Sequence, residues 1–210
     1  LWSLDVERKV TRRVSFGLEQ YTSIAASADG RRLVTTVSNP TASLWSVPIV
    51  DRLAEERDVK PFELPTVRAL APRFGGSSLF YLSSRGTGDG LWRYQDGQGL
   101  EIWRGADGRL LEPPAISLDG QRVAFVLRNN GKLRLHQLTA DGAGLQAVAD
   151  TLDVQGTACW SPDATWIVTG GSDAQGAGLF KIPVDGGAPV RLVTGPAQDP
   201  VWSPDGSVIA

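Results

Sequence analysis

One tight turn recurs along the chain at nearly constant intervals. In each copy, a serine or aspartate side chain can bond nearby backbone amides, and Pro162 and Pro204 preset the φ angle that a type I turn needs at its second position. Residues that favour strands flank each copy, so each predicts a β-hairpin. The four copies are Ser27-Ala28-Asp29-Gly30, Ser117-Leu118-Asp119-Gly120, Ser161-Pro162-Asp163-Ala164 and Ser203-Pro204-Asp205-Gly206.

The last residue of the turn marks a repeat of roughly 44 residues. The anchors Gly30, Gly76, Gly120, Ala164 and Gly206 are 46, 44, 44 and 42 residues apart. A leucine followed by an aromatic residue or histidine keeps nearly the same period, at Leu1, Leu44, Leu91, Leu135 and Leu179. Two independent landmarks with one period indicate a repeat architecture.

Each period contains the elements of a four-stranded antiparallel sheet. An inner strand, the turn and a second strand are followed by a polar loop, the leucine-aromatic strand, a hairpin turn and a last strand. Asp96-Gly97, Asp141-Gly142 and Asp185-Gly186 mark that hairpin turn, since both residue types tolerate positive φ. Four strands in roughly 44 residues match one propeller blade. We therefore predict an all-β fold, a β-propeller of four-stranded antiparallel blades.

The repeats cover all of 1–210. The predicted whole blades are 20–66, 67–111, 112–154 and 155–196, with half blades at 1–19 and 197–210. The half blades can in principle pair and close a five-bladed ring. We favour an arc of a six- or seven-bladed ring within a longer polypeptide. An arc alone would leave two unpaired sheet edges, which favour aggregation.

Two segments depart from the repeat. In the second whole blade the turn lacks its aspartate and reads Arg73-Phe74-Gly75-Gly76. The segment from Asp51 to Lys60 replaces a short hairpin, and it predicts one or two helical turns on a rim.

Composition argues against several kinds of partner. The 21 Lys and Arg residues nearly balance the 23 Asp and Glu residues, so we expect no nucleic acid or anionic membrane to bind this segment. No apolar run approaches the roughly 18 residues of a membrane span. Cys159 is the only cysteine, which excludes an intrachain disulfide; its strand pattern predicts a small buried hydrophobe.

The sequence carries no recognisable catalytic set. The repeated aspartates Asp29, Asp119, Asp163 and Asp205 fall one to a blade, so we expect them to cap turns rather than to act as a carboxylate pair. His136, the only histidine, occupies an aromatic slot of the repeat. No Gly-x-Ser-x-Gly elbow or phosphate-binding loop is present. We therefore expect no enzyme activity, cofactor or metal. The residues assigned to structural turns are Asp29, Gly30, Asp119, Gly120, Pro162, Asp163, Pro204, Asp205 and Gly206.

Several segments resemble the TolB-like β-propeller repeat, a relative of the WD repeat: Trp160-Ser161-Pro162-Asp163, Trp202-Ser203-Pro204-Asp205-Gly206, Leu179-Phe180-Lys181-Ile182-Pro183 and Asp185-Gly186-Gly187. Such propellers occur in periplasmic TolB, in the gating domain of prolyl-oligopeptidase-type peptidases and in bacterial membrane regulators. Residues 21–49 are most similar to the last group, in which a propeller follows a Ser/Thr kinase or winged-helix domain and a membrane helix. The resemblance implies a sensor domain on the periplasmic or extracytoplasmic side of a bacterial membrane.

The remaining place for a ligand is the channel mouth, where the inner strands begin. Counting back from each turn predicts a polar set there, in which Arg68 pairs with an anionic group and Asp199 or Glu112 accepts from a donor. We expect a binding or sensor domain for a protein or small polar ligand. Alternatives are a gating propeller for a peptidase domain outside the segment, a protein-interaction scaffold, or a solvated channel without ligand. The candidate residues are Ser23, Arg68, Glu112, Thr157, Gln198 and Asp199.

Overall fold

The structure, a computed structural model, describes residues 2–13, 20–38, 42–66, 68–84, 89–105, 109–110, 112–129 and 131–210. Three hairpins form the N-terminal part of the chain. They are β1 (Trp2–Asp5) with β2 (Val10–Arg13), β3 (Gln20–Ala26) with β4 (Leu33–Ser38), and β5 (Leu44–Ser46) with β6 (Lys60–Phe62). Among the described residues, the last two hairpins remain separate two-stranded sheets where the repeat predicts one four-stranded blade.

The rest of the chain forms three larger antiparallel sheets, named I to III here. Sheet I contains β7 (Leu70–Gly75), β8 (Ser78–Ser84), β9 (Asp89–Gln95) and β10 (Gln98–Arg104). Sheet II contains β11 (Arg109–Leu110), β12 (Ala115–Ile116), β13 (Arg122–Asn129), β14 (Lys132–Thr139) and β15 (Gln146–Val148). Sheet III contains β16 (Asp153–Trp160), β17 (Trp166–Asp173), β18 (Gly176–Pro183) and β19 (Val190–Thr194). The predicted all-β fold of four-stranded antiparallel sheets is confirmed.

The innermost strand of sheet II is interrupted. Strands β11 and β12 both pair with β13, so the predicted blade boundary at 112 falls between two strands of one sheet. Pro113 and Pro114 lie in the gap, and neither has a backbone N–H to offer to a ladder. The consecutive prolines account for the break.

Alternate residues of the central strands are buried on opposite faces of their sheets. In β13, Val123 and Phe125 pack in one cluster with Phe80 of sheet I, whereas Val126 packs in another with Phe180 of sheet III. The period of two follows from strand geometry, and burial on both faces requires a sheet on either side. Sheets I, II and III are therefore stacked face to face in chain order.

The other face of sheet I packs on the β5–β6 hairpin. Ala69, Tyr81 and Trp92 form a buried cluster to which Leu44 and Leu64 add. The Ala69 N–H also donates to the carbonyl oxygen of Ala42 at 2.9 Å. The N-terminal part thus continues the face-to-face stacking.

The segment that replaces a short hairpin contains a 3-10 helix at Glu56–Asp58, which confirms the predicted helical turn. A capping box joins Glu55 and Asp58, and the Arg52 guanidinium binds both carboxylate oxygens of Asp58 at 2.6 and 2.9 Å. No helix among the described residues is long and apolar enough to cross a membrane.

The recurrent turn has one hydrogen-bond pattern in all four copies. In the last copy, the Ser203 hydroxyl donates to Asp205 Oδ1 at 2.6 Å and accepts the N–H of Val208 at 2.9 Å. Asp205 Oδ1 accepts the Ser207 N–H at 3.0 Å, and the Gly206 N–H donates to the Ser203 carbonyl oxygen. The same serine-to-aspartate bond joins Ser27 to Asp29, Ser117 to Asp119 and Ser161 to Asp163.

These hydrogen bonds stabilise the ionised carboxylates, so the pKa of each of the four aspartates lies below its ordinary value, chiefly because of the serine hydroxyl. The pKa of Asp205 falls from 3.8 to about 2. A folded-state pKa below the unfolded value stabilises the fold above pH 4, and that stabilisation is lost as the pH falls toward 2.

We expect Asp205→Asn to reduce the loss of melting temperature between pH 4 and pH 2. Equal losses in the variant and the wild type would contradict this role.

Two neighbouring turns approach each other unusually closely. The Gly76 N–H of sheet I donates to the Leu118 carbonyl oxygen at 3.0 Å, at the start of sheet II. A Cβ at Gly75 would lie 2.2 Å from Ile116 Cγ2, and one at Gly120 would lie 2.3 Å from the Gly75 carbonyl oxygen. The contact requires glycine on both sides, which explains why the second whole blade has Gly75-Gly76 in place of the usual turn.

Candidate functional site

The innermost strands of successive repeats border a cavity of about 380 Å³, called the inner groove here. Its walls come from the end of β7, from β12 and the residues before it, from the second half of β16, and from the segment after β19. The lining residues are Arg73, Phe74, Pro113, Pro114, Ala115, Ile116, Leu118, Thr157, Ala158, Cys159, Trp160, Ser161, Pro162, Pro200, Val201, Trp202, Ser203 and Pro204.

The inner groove is rich in proline and in exposed apolar side chains. Phe74, Leu118 and Val201 are 75%, 73% and 62% exposed. Five of the lining residues are prolines, which offer no backbone donor. Large apolar side chains gathered at one concave surface are typical of a site that binds another molecule.

Polar groups at the inner groove are mostly engaged within the protein. Ser161 and Ser203 bond the aspartates of their own turns. The Cys159 thiol accepts the N–H of Trp202 at 3.4 Å and donates to the Trp160 carbonyl oxygen at 3.5 Å. Arg73 supplies the only charged side chain among the lining residues, and it donates to the carbonyl oxygen of Pro72 at 2.9 Å. The surface therefore favours an apolar occupant.

The predicted residues Thr157 and Asp199 meet at an irregularity of β16. The register between β16 and β17 shifts between Gln155 and Ala158, which leaves the Thr157 N–H outside the ladder. Asp199 Oδ1 accepts this N–H at 2.8 Å. Gly156, with φ at 73°, passes so close that a Cβ there would lie 2.8 Å from Asp199 Oδ1 and 3.3 Å from the Gln198 Cβ. Asp199 thus links two repeats through Oδ1.

Ser23 and Thr157 occupy matching positions in their repeats. The Thr35 hydroxyl donates to the Ser23 carbonyl oxygen at 2.6 Å, and the Thr169 hydroxyl donates to the Thr157 carbonyl oxygen at 3.2 Å. Each threonine lies twelve residues after its acceptor, in the second strand. The Ser23 hydroxyl also donates to Thr36 Oγ1 at 2.8 Å.

The six predicted mouth residues differ in their surroundings. Thr157, Gln198 and Asp199 come together, but of the six only Thr157 lines the inner groove. Arg68 is half-buried beside the β5–β6 hairpin and accepts the Thr66 hydroxyl at its carbonyl oxygen. Glu112 is half-buried just before Pro113. Counting back from the turns also misaligns the inner strands. Their residues with positive φ are Ala71, Gly156 and Asp199, and these lie at different distances from the turns that follow them.

Cys159 is more exposed than the sequence predicts. The strand pattern predicts a buried residue, but Cys159 is half-exposed and lines the inner groove. The segment after β19 reaches this face through the Trp202 N–H, which donates to the Cys159 sulfur. The recurrent prolines at the ends of the inner strands were the sequence signal for this surface.

Aromatic residues hold a lysine beside the inner groove. Lys181 Nζ lies 4.0 Å from the Trp166 ring centroid and 5.7 Å from that of Trp202. His136, which corresponds to Phe180 in the leucine-aromatic strand, stacks on Phe125 with ring centroids 6.2 Å apart. Among the described residues, no group of three or more His, Cys, Asp or Glu side chains is placed to hold a metal ion.

Stacked four-stranded sheets around a groove of innermost strands define a β-propeller. No protein-family model matches the sequence, and no curated protein matches it. Solved structures do match. TolB from Acinetobacter baumannii has a TM-score of 0.59 at 16% identity, over 89% of this chain and 41% of that chain. A protein described as TolB from Agrobacterium tumefaciens has a TM-score of 0.62 at 14% identity, over 98% of this chain and 74% of that chain.

A third similar structure is a prolyl endopeptidase, with a TM-score of 0.53 at 18% identity, over 67% of this chain and 25% of that chain. Identities this low establish the fold alone. The chain has a TolB-like β-propeller fold, and it spans less than half the length of the Acinetobacter TolB chain.

Proposed function

We propose that this chain is a non-catalytic recognition domain that binds an extended protein segment with apolar side chains in the inner groove. The observation that carries the proposal is the shared surface: four consecutive repeats contribute to one groove, and its exposed large apolar side chains are Phe74, Leu118 and Val201. Burying one such side chain against a ligand contributes about 1.5–3 kcal/mol. A protein segment with apolar side chains fits this surface better than a small polar ligand.

The groove is supported on rigid elements. The turns that carry Leu118, Pro162 and Pro204 are closed by the serine–aspartate bonds described above, and proline fixes its own φ angle. A surface that is ordered before binding loses little conformational entropy when a ligand arrives. This rigidity supports recognition as the role of the domain.

In the same proposal, the domain is the extracytoplasmic sensor part of a bacterial regulatory protein. Its support is the resemblance of residues 21–49 to the propellers of membrane-anchored kinases and winged-helix regulators.

The likeness to a prolyl endopeptidase favours a second candidate, a propeller that gates a separate peptidase domain. The full reading frame separates the two: an upstream kinase or winged-helix domain with a membrane helix supports sensing, and a downstream Gly-x-Ser-x-Gly domain supports gating.

A pool of randomised linear octapeptides tests the inner groove. Peptides retained by the wild-type protein should be enriched in apolar residues, and their affinity should fall at least tenfold for the double variant Phe74→Glu/Leu118→Glu, because two apolar contacts are lost. Fluorescence polarisation with single labelled peptides measures the affinities.

Leu100→Glu is the matched control, since Leu100 is 45% exposed on the outer strand β10 and does not line the groove. This variant should bind within twofold of the wild type. If no retained peptide depends on Phe74 and Leu118, then the inner groove is not the recognition surface.

A further inference from the structure

A second cavity, of about 560 Å³, lies between the outer parts of sheets II and III. One wall is formed by the end of β14 together with β15, and the other by the turn at 183–187 after β18. Every residue of 131–210 is described, so both walls are complete in this part of the chain. This cavity is called the outer groove here, and none of its lining residues belongs to the inner groove.

A buried glutamine faces the outer groove with an unused acceptor. Gln137 is only 7% exposed, and its Nε2 donates to the Val184 carbonyl oxygen at 3.2 Å, which joins the two walls. That bond assigns the amide orientation, because a carbonyl oxygen needs a donor. Among the described residues the Gln137 Oε1 has no hydrogen-bond partner. The fully buried side-chain atoms that lack a partner do not include this oxygen, so Gln137 Oε1 keeps some solvent exposure and can accept a hydrogen bond from a ligand in the outer groove.

The strand β15 offers an open edge at the same place. It pairs only with β14 among the described strands, with Gln146 opposite Gln137 and Val148 opposite Leu135. Residues 146–149 line the outer groove. The backbone groups of β15 that point away from β14 are therefore available along the groove to another extended chain.

The charges of the outer groove favour a neutral ligand backbone. Its lining includes one cation, Arg122, and one anion, Asp185, so their charges balance. A site for phosphate or for a nucleotide would need an excess of positive charge or a cluster of backbone donors. Peptide main chain carries no net charge and alternates donors with acceptors, as a strand edge requires.

We propose that the outer groove is a second binding site, in which an extended peptide segment adds to the free edge of β15 and donates a hydrogen bond to Gln137 Oε1. Main-chain hydrogen bonds would hold the peptide, and its alternate side chains would enter the space between sheets II and III. The site does not depend on the inner groove, and the proposed function above can fail while this one stands.

The same octapeptide pool tests the outer groove with a different pair of variants. Gln146→Trp places a large side chain on the face that Gln146 shares with Gln137. For one class of the retained peptides, the affinity for this variant should be at least tenfold weaker than for the wild type. Leu145→Trp is the matched control: Leu145 is 51% exposed but does not line the groove, so affinity should stay within twofold. Phe74→Glu/Leu118→Glu should leave this class of peptides unaffected.

N-methylation of the peptide separates strand addition from side-chain binding. Methyl groups on alternate backbone nitrogens should weaken binding at least tenfold, and methyl groups on the intervening nitrogens should change it less than threefold. The proposal is overturned if no retained peptide is sensitive to Gln146→Trp, if Leu145→Trp weakens binding equally, or if N-methylation has no alternating effect. Gln137→Met tests the acceptor in addition, and unchanged affinity in this variant would remove Gln137 from the site.

Discussion

Gly120→Ala should lower the free energy of unfolding by about 2–5 kcal/mol, the sum of a left-handed backbone penalty and of overpacking. Gly120 has φ at 72°, and a Cβ there would lie 2.3 Å from the carbonyl oxygen and 2.6 Å from the carbonyl carbon of Gly75. Both atoms belong to the backbone, so no side-chain rotation relieves the overlap. The two turns would have to separate, and the hydrogen bond from the Gly76 N–H to the Leu118 carbonyl oxygen would be lost.

Gly30→Ala is the matched control, because Gly30 ends the equivalent turn. Its φ is 66°, and a Cβ there would meet nothing within 4 Å. Only the left-handed penalty of about 1–2 kcal/mol should remain. Urea denaturation of the two variants measures the difference, which isolates the close approach of sheets I and II. Equal losses in both variants would show that the turns at Gly76 and Gly120 do not depend on that approach.

The repeated turn could be predicted from the sequence because it is a local structure. Ser203 and Asp205 bond atoms at most five residues away, so their residue types alone define the geometry. The period of the repeat and the alternation of apolar residues then imply stacked sheets, since a strand such as β13 can bury both faces only between two others. The same locality explains why the helical turn at Glu56–Asp58 was predicted correctly.

The register of the inner strands could not be predicted by counting. Extra residues in these strands shift the pairing between Leu70 and Arg73 and between Gln155 and Ala158. A bulge depends on which residues face it across the sheet, and one extra residue reverses the face of all that follow. Counting places Arg68 and Gln198 level with Gly156, whereas the left-handed residues of their repeats are Ala71 and Asp199.

The apolar character of the inner groove could also not be predicted from the strand pattern. The pattern predicts packing for Cys159 and a turn for Pro162, and both nevertheless line the groove together with the predicted mouth residue Thr157. Whether a strand residue faces solvent or a neighbour depends on how closely the next repeat approaches, which is a tertiary property. The predicted polar character rested on the strand beginnings, whereas the groove lies toward their ends.

Trp160→Ala should cost about 3–5 kcal/mol, the range for removing a large aromatic side chain from a core. Trp160 is 5% exposed in the cluster between sheets II and III, where it packs with Val126 and Phe180. Its Nε1 donates to the Ala115 carbonyl oxygen at 3.0 Å, a bond between β16 and β12 of neighbouring sheets. The side chain therefore contributes both buried area and a hydrogen bond that joins two repeats.

Trp160→Phe separates these two contributions, because phenylalanine keeps an aromatic ring in the cluster and removes only the donor and part of the volume. The Ala115 carbonyl oxygen then loses a partner at a buried position, which should cost about 1–3 kcal/mol. Chemical denaturation of both variants gives the comparison. If Trp160→Phe is as destabilising as Trp160→Ala, the hydrogen bond rather than the buried ring holds sheets II and III together. Losses below about 1 kcal/mol in both variants would contradict the packing of Trp160 between them, since burial of an aromatic ring contributes more than that.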